Sequence, residues 1–218
     1  VKIIITGTTG MVGEGVLIEC LQNNKVSEIL SVSRKSCGIS HPKLKELIIG
    51  DFLQLDNFHN QLTGYDACFY CAGISSIGLD EEKYTKITFD TTLHFAKTLL
   101  DLNPNMTFNY ISGKSTDSTE AGKIMWARVK GKTENDLMKL NFKGQYNFRP
   151  GFMKHFKEQK NVKTIFKIFG AFYPTLFPKS SLTLQEVGRA MINISEKGYS
   201  KQILEVADIK KVTQYNVA

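Results

Sequence analysis

No apolar run in this chain approaches the roughly 18–20 residues that a membrane-spanning helix requires, so a helical membrane span is not expected. Cysteine is scarce as well. Cys20, Cys37, Cys68 and Cys71 are too few and too scattered for a disulfide framework. Cys68 and Cys71 have C-x-x-C spacing, but DACFYCAG reads as a buried strand, on which residues three apart point to opposite faces. Neither a disulfide nor a shared metal ion fits that geometry, so core cysteines and no metal are expected. There is no internal repeat and no low-complexity linker. No leader precedes the first strand, so a secretory signal is not expected and the expected location is cytoplasmic. With no Met at position 1, the natural start is expected slightly upstream.

What is present is a 218-residue chain, long enough for one α/β domain with a full core and little more. Its 42% hydrophobic and 22% charged content is that of a globular domain rather than a disordered one. The net charge of +7 is uneven. Residues 123–163 hold 11 Lys/Arg against 3 Asp/Glu, so this segment alone contributes 11 − 3 = +8. It reads as a rim that attracts anionic, phosphorylated ligands, as a surface for nucleic acid or membrane, or as lysines on solvated helix faces.

The first stretch, VKIIITGTTGMVG, sets the frame. Ile3–Ile5 read as a buried parallel strand that runs into Gly7-Thr-Thr-Gly10-Met-Val-Gly13 and then a helix. Strand, glycine-rich turn and helix in that order form a dinucleotide-binding context. Gly7 serves the tight turn, Gly10 the approach of backbone N–H groups to a pyrophosphate, and Gly13 the close seat of the helix. Thr9, Met11 and Val12 complete the phosphate-facing turn. The alternative is three structural glycines in an ordinary strand-to-helix turn.

Strands are expected at Glu28–Ser33, 45–50, 66–73, 105–112, 145–148 and 201–206, with helices at 11–23, 81–102, 124–140 and 184–196 between them. Thr183 and Glu186 form a capping box for the last of these helices. The alternation predicts a Rossmann-like, doubly wound parallel sheet with helices on both faces in a single domain over 1–218, residues 151–200 forming a small substrate-side extension. Within it Phe152, Phe156, Phe166, Phe169 and Phe172 line an apolar lid or, on the preferred reading, join the core.

After the second strand the sequence has Ser33-Arg34-Lys35 and no acid. NAD sites place a carboxylate there for the ribose hydroxyls, whereas a guanidinium accommodates a 2′-phosphate. NADP(H) is therefore expected in preference to NAD(H). Asp51 and Phe52 suit an adenine, one bonding its amine and one covering its face. Ala72 and Gly73 leave space where a cofactor passes close to the backbone.

TGTTGMVG, Arg34, Asp51-Phe52, Cys71-Ala72-Gly73, the serine-bearing fifth strand, Lys130 and Arg149-Pro150-Gly151 together resemble the short-chain dehydrogenase/reductase superfamily, in its atypical, epimerase-like branch. MWARVKGKTEN, FRPG and EVGRAMIN look most like the Tat-interacting, NADPH-binding oxidoreductase-like subgroup. The resemblance implies a proton relay. A Tyr acts as acid, a Lys four residues later lowers its pKa and binds the nicotinamide ribose, and a Ser or Thr orients the substrate carbonyl. Residues i and i+4 share a helix face, which is why the spacing works. Here the Lys is Lys130, and Trp126 stands where the Tyr is expected. Indole has an N–H but no proton that titrates near neutral pH, so it cannot act as the general acid. Ser112 and Ser115 are candidates for the orienting hydroxyl, with Ser112 preferred because it ends the strand. Tyr110-x-x-x-Lys114 has the same spacing but runs from strand to loop, which makes it a decoy. Thr88 stands near the position of a family Asn.

Two function classes remain open. One is an NADP(H)-dependent oxidoreductase or epimerase with an altered acid, acting on a small-molecule substrate, an anionic one in view of the basic segment. The other is a catalytically weak or inactive NADP(H)-sensing regulatory or scaffold protein with a protein partner. Neither membrane nor nucleic acid is an expected partner, since no aromatic–basic interleaving marks an RNA-binding module. The chain is expected to be a monomer or a homodimer.

Overall fold

Ile3, Ile4 and Ile5 are completely buried because the strand that carries them, β1 (Lys2–Thr6), lies at the centre of a seven-stranded sheet. Burying side chains of this size contributes about 1.5–3 kcal/mol each. In the computed structural model, which describes residues 1–162, 164, 177 and 180–215, every pairing in this sheet is parallel. On one side of β1 stand β2 (Glu28–Ser33) and then β3 (Leu44–Ile48). On the other stand β4 (Ala67–Tyr70), β5 (Thr107–Ile111), β6 (Gly144–Arg149) and β9 (Ile203–Glu205). The chain reverses direction across the sheet between β1 and β4, which is where a doubly wound fold opens a crevice at the carboxyl ends of its strands.

The period of two along the strands divides the apolar residues between two cores. Ile3, Ile5 and Phe69 pack beneath α1 (Met11–Gln22), α6 (Leu184–Lys197) and α7 (Val206–Thr213). Ile4, Cys68, Tyr70 and Phe108 pack on the opposite face against α4 (Thr91–Leu102) and Leu137 of α5 (Met125–Leu137). Helices thus cover both faces, and the expected Rossmann-like doubly wound fold is the observed one. Cys68 and Cys71 contribute to opposite cores, and all four cysteines are free thiols. Among the described residues no helix is long and apolar enough to cross a membrane.

Several boundaries differ from expectation. The continuous helix expected over 81–102 is broken into α3 (Glu81–Thr85), a π-turn over Lys86–Asp90, and α4. The cause is the Lys86 carbonyl, which accepts the N–H of Thr91, five residues on, and also its hydroxyl at 3.0 Å. The helix expected over 124–140 ends at Leu137. The fourth strand stops at Tyr70, which leaves Cys71, Ala72 and Gly73 beyond the sheet. The fifth stops at Ile111, one residue short of Ser112.

Three elements were not expected. β7 (Phe152–Lys154) and β8 (Ser181–Thr183) form a separate parallel pair. α7 follows β9 directly. The Thr183–Glu186 capping box is present in full and starts α6. Phe152 and Phe156 are partly buried, while Phe166, Phe169 and Phe172 lie outside the described residues.

Candidate functional site

The three glycines after β1 meet different steric demands. Gly7 has φ +73°, and a Cβ there would stand 2.7 Å from the backbone of Cys71 and Ala72. A Cβ on Gly13 would lie 2.2 Å from the Gly7 carbonyl oxygen, so α1 is seated directly on the turn. A Cβ on Gly10 would meet only that same oxygen, at an ordinary 3.5 Å. Among the described residues no steric contact accounts for a glycine at position 10. Gly73 is similar, since a Cβ there would meet no atom within 4 Å. Buried hydroxyls hold this frame in place. Ala72 N–H donates to Thr6 Oγ1 at 3.0 Å, and the Thr8 and Ser31 hydroxyls bond each other at 2.7 Å.

Gly10 is also the N-cap of α1 and has no side chain to satisfy the first-turn N–H groups, which lack intrahelical partners and point outward. They face a groove of about 550 Å³. Gly7, Thr9, Gly10, Met11, Val12 and Gly13 form its centre. Arg34, Asp51 and Phe52 stand at one end, and Ala72 and Gly73 at the other. Every residue expected to bind the cofactor lines this groove except Lys130. Ser33, Gly50, Tyr70, Cys71, Ile74, Ile87 and Thr91 also line it, and sequence reasoning assigned none of them to the cofactor. Ile87 and Thr91 are a helical step of four apart on the segment after β4, a spacing that could have revealed them. Thr88, the residue singled out between them, is buried and does not line the groove. The open glycines, the free first-turn amides and a cationic end fit a pyrophosphate-bridged dinucleotide.

A second constellation lies at the carboxyl end of β5. Trp126, Lys130 and Glu134 follow one another at steps of four along α5 and share a face. Lys130 Nζ donates to the Ser112 carbonyl at 2.5 Å. Burial pushes the Lys130 ammonium down to about 8, while the negative charge of Glu134 pulls the other way. Glu134 is completely buried and accepts from the Ser112 hydroxyl and, through both oxygens, from the Arg149 guanidinium. Arg149 also donates to Ser118 Oγ at 2.5 Å. Sequence reasoning named Arg149 only within the Arg149-Pro150-Gly151 run that carries the family resemblance, gave it no role in the site, and did not single out Glu134.

This arrangement changes the reading of the expected catalytic residues. A serine hydroxyl has one proton, and that of Ser112 is shared between Glu134 and the Phe148 carbonyl at 3.1 Å. Ser112 therefore ties the strand end to α5 and holds Lys130 through its carbonyl. Ser115, the alternative, is exposed, and its hydroxyl has no partner among the described residues. Trp126 is partly buried in the first turn of α5, one turn before Lys130. Tyr110 is buried in the core beside Tyr70, ring centroids 6.1 Å apart, and Lys114 reaches Ser180 Oγ instead at 3.4 Å. Those two residues form no relay. Among the described residues no group of acids, histidines and cysteines could hold a metal ion.

The model of the NAD dependent epimerase/dehydratase family matches residues 3–123. Leucinostatins biosynthesis cluster protein T of Purpureocillium lilacinum is 30% identical over 142 residues, which are 64% of this chain and 52% of that protein; the match spans about half of that relative's length. The protein fmp52, mitochondrial, of Emericella nidulans is 23% identical over 214 residues, 93% of this chain and 90% of that one. Among solved structures, the UDP-N-acetylglucosamine 4-epimerase of Methanobrevibacter ruminantium superposes with a TM-score of 0.63 at 16% identity, covering 91% of this chain and 74% of the other. The Bordetella bronchiseptica enzyme WbmF in complex with NADH gives 0.66 at 14% identity, covering 96% and 75%. At these identities the structural likeness is one of fold.

Proposed function

The chain belongs to the NAD dependent epimerase/dehydratase family, and we propose that it binds NADP(H), in preference to NAD(H), as an oxidoreductase- or epimerase-like protein whose usual proton donor is replaced by Trp126. The observation that carries the reading is the groove, lined by Gly10 and Gly73, where a Cβ would meet no close contact among the described residues, and by Arg34, which is free of any ion pair among them. WbmF, the structural neighbour solved with NADH, supports the dinucleotide class. Arg34, where NAD sites place a carboxylate, supports the phosphorylated form.

In this reading the first-turn amides of α1 hold the pyrophosphate, Asp51 and Phe52 hold the adenine, and Arg34 holds the 2′-phosphate. Ala72 and Gly73 border the backbone path toward the nicotinamide. A bound nicotinamide supplies hydride transfer. Lys130, held by the Ser112 carbonyl, is the ribose ligand, and Ser115 is the hydroxyl left free to bond a carbonyl. Part of the basic middle segment is engaged within the fold, with Arg128 paired to Glu81 at 2.6 Å, Lys132 and Lys139 both paired to Asp136, and Lys130 and Arg149 held at the end of β5. The groove itself, rather than the basic segment, supports a small-molecule partner. Four free thiols suit the reducing cytoplasm.

A second reading, an NADP(H)-sensing regulatory or scaffold protein, is favoured by the same α5 face. Trp126 has no proton that titrates near neutral pH, and the Ser112 proton is already committed to Glu134 and the Phe148 carbonyl. Titration with NADPH and NADH, followed by turnover assays on aldehydes, ketones and nucleotide sugars with wild type and Trp126→Tyr, tests both readings. The enzyme reading expects tight NADPH binding and turnover that rises in the Tyr variant. Binding with no turnover in either protein would leave the sensing reading, and absence of dinucleotide binding would sink both.

A further inference from the structure

A second pocket, of about 630 Å³, is lined by Thr9, Arg34, Lys35, Ser36, Cys37 and Asn161. It shares Thr9 and Arg34 with the groove and so opens from it between the glycine turn and the end of β2. Among the described residues two cations and no carboxylate line it. Neither Arg34 nor Lys35 forms an ion pair among the described residues. Glu46, on β3, accepts instead from Ser36 Oγ at 2.6 Å and from Cys37 N–H at 2.7 Å, and so shapes the loop after β2.

Among the described wall residues Asn161 alone comes from the second half of the chain, and the fold delivers it by a specific attachment. Glu14, buried in the first turn of α1, accepts the backbone N–H of Lys160 on one oxygen and that of Asn161 on the other, both at 2.8 Å. Gln159 donates to the Met11 carbonyl at 2.8 Å and accepts the N–H of Phe156 at 2.8 Å. The segment Phe156–Asn161 is thus fastened across the beginning of the helix whose N-terminus faces the groove. The backbone of Asn161 is engaged. Its side-chain amide is exposed and has no partner among the described residues.

We propose that Asn161 is a specificity residue for the adenosine 2′-phosphate, its amide N–H donating to a phosphate oxygen beside Arg34 and Lys35. The inference rests on the NADP(H) reading of the groove. A phosphate dianion has more acceptor sites than one guanidinium can fill, and a carboxamide adds a donor without charge. A carboxylate at the same point would repel the dianion and leave NADH, which lacks the phosphate, unaffected.

The test compares dissociation constants of NADPH, NADH, 2′,5′-ADP and 5′-ADP for wild type, Arg34→Ala, Asn161→Ala and Asn161→Asp, by fluorescence or calorimetric titration. Asn161→Asp is expected to weaken NADPH and 2′,5′-ADP by about tenfold or more, and Asn161→Ala by about threefold to tenfold. NADH and 5′-ADP should stay within about twofold. The substitutions sit on an exposed side chain, so unchanged NADH binding also reports an intact fold. If Arg34→Ala erases the NADPH preference while both Asn161 variants keep it, the Asn161 assignment is overturned and the NADP(H) reading stands. If wild type shows no preference between 2′,5′-ADP and 5′-ADP, both fall.

Discussion

At the scale of single residues, Lys130 carries most of the local chemistry. Its ammonium is partly stripped of water, its hydrogen bond goes to a backbone carbonyl, and the negative charge that supports it, Glu134, is bonded to Arg149. The folded chain therefore releases this proton at about 8, while the unfolded chain holds it to the ordinary 10.5. Below pH 8 both states carry the proton, and the folded state bears the full cost of burying it. Between pH 8 and 10.5 only the unfolded state holds the proton, so the contribution of this residue to stability rises with pH. The stability difference between wild type and Lys130→Met, followed by denaturant unfolding from pH 7 to 10.5, should move in favour of wild type across that range. In a Glu134→Gln background the onset should fall below pH 8, because the charge that supports the ammonium is gone. A difference that stays flat with pH would mean that the ammonium is fully solvated. Glu134 itself was not legible in the sequence. A carboxylate one turn beyond a catalytic-type lysine reads as a solvated helix residue, and only the fold shows that Arg149, at the end of β6, points back to meet it.

At the scale of elements, the strand–turn–helix unit was legible because each glycine answers a separate steric or ligand demand, and those demands produce a recognisable spacing. Other elements escaped for physical reasons. A π-turn differs from an α-turn by one extra residue under one carbonyl, and KITFD carries no signal for it. α7 begins with a box built from Glu205 and Asp208 rather than from a hydroxyl residue, and it is only eight residues long. β7 and β8 are three residues each, too short for any alternation to show. The glycine unit also yields a discriminating prediction. Gly13→Ala drives a Cβ into the Gly7 carbonyl and should cost about 3 kcal/mol of stability, seen as a lower urea midpoint. Gly10→Ala meets no such contact and should leave the midpoint nearly unchanged, while dinucleotide affinity falls steeply because the methyl group enters the groove. If Gly10→Ala binds NADPH as wild type does, the phosphates do not lie where the turn places them.

At the scale of the whole molecule, the groove is closed by parts of the chain that are remote in sequence. β1 and its turn supply the centre, β2 and the residues after β3 supply one end, and the residues after β4 supply the other. The strap that ends at Asn161 returns to α1 through Glu14 and Gln159. A ligand in the groove therefore touches segments that must separate when the protein unfolds, and it should stabilise the whole domain cooperatively. At a concentration about 100 times its dissociation constant a ligand adds roughly 2.7 kcal/mol. For a domain of this length that is a rise in melting temperature of about 5–10 °C. At equal concentration NADPH should shift the melting temperature more than NADH does, by an amount that follows the ratio of their affinities. Trp126→Tyr lies outside the groove and should show the same shift as wild type, which separates cofactor binding from any gain in turnover. A shift that NADPH and NADH produce equally, and that Arg34→Ala leaves unchanged, would place the specificity of this groove with the shared adenine, ribose and pyrophosphate rather than with the cationic pocket beside it.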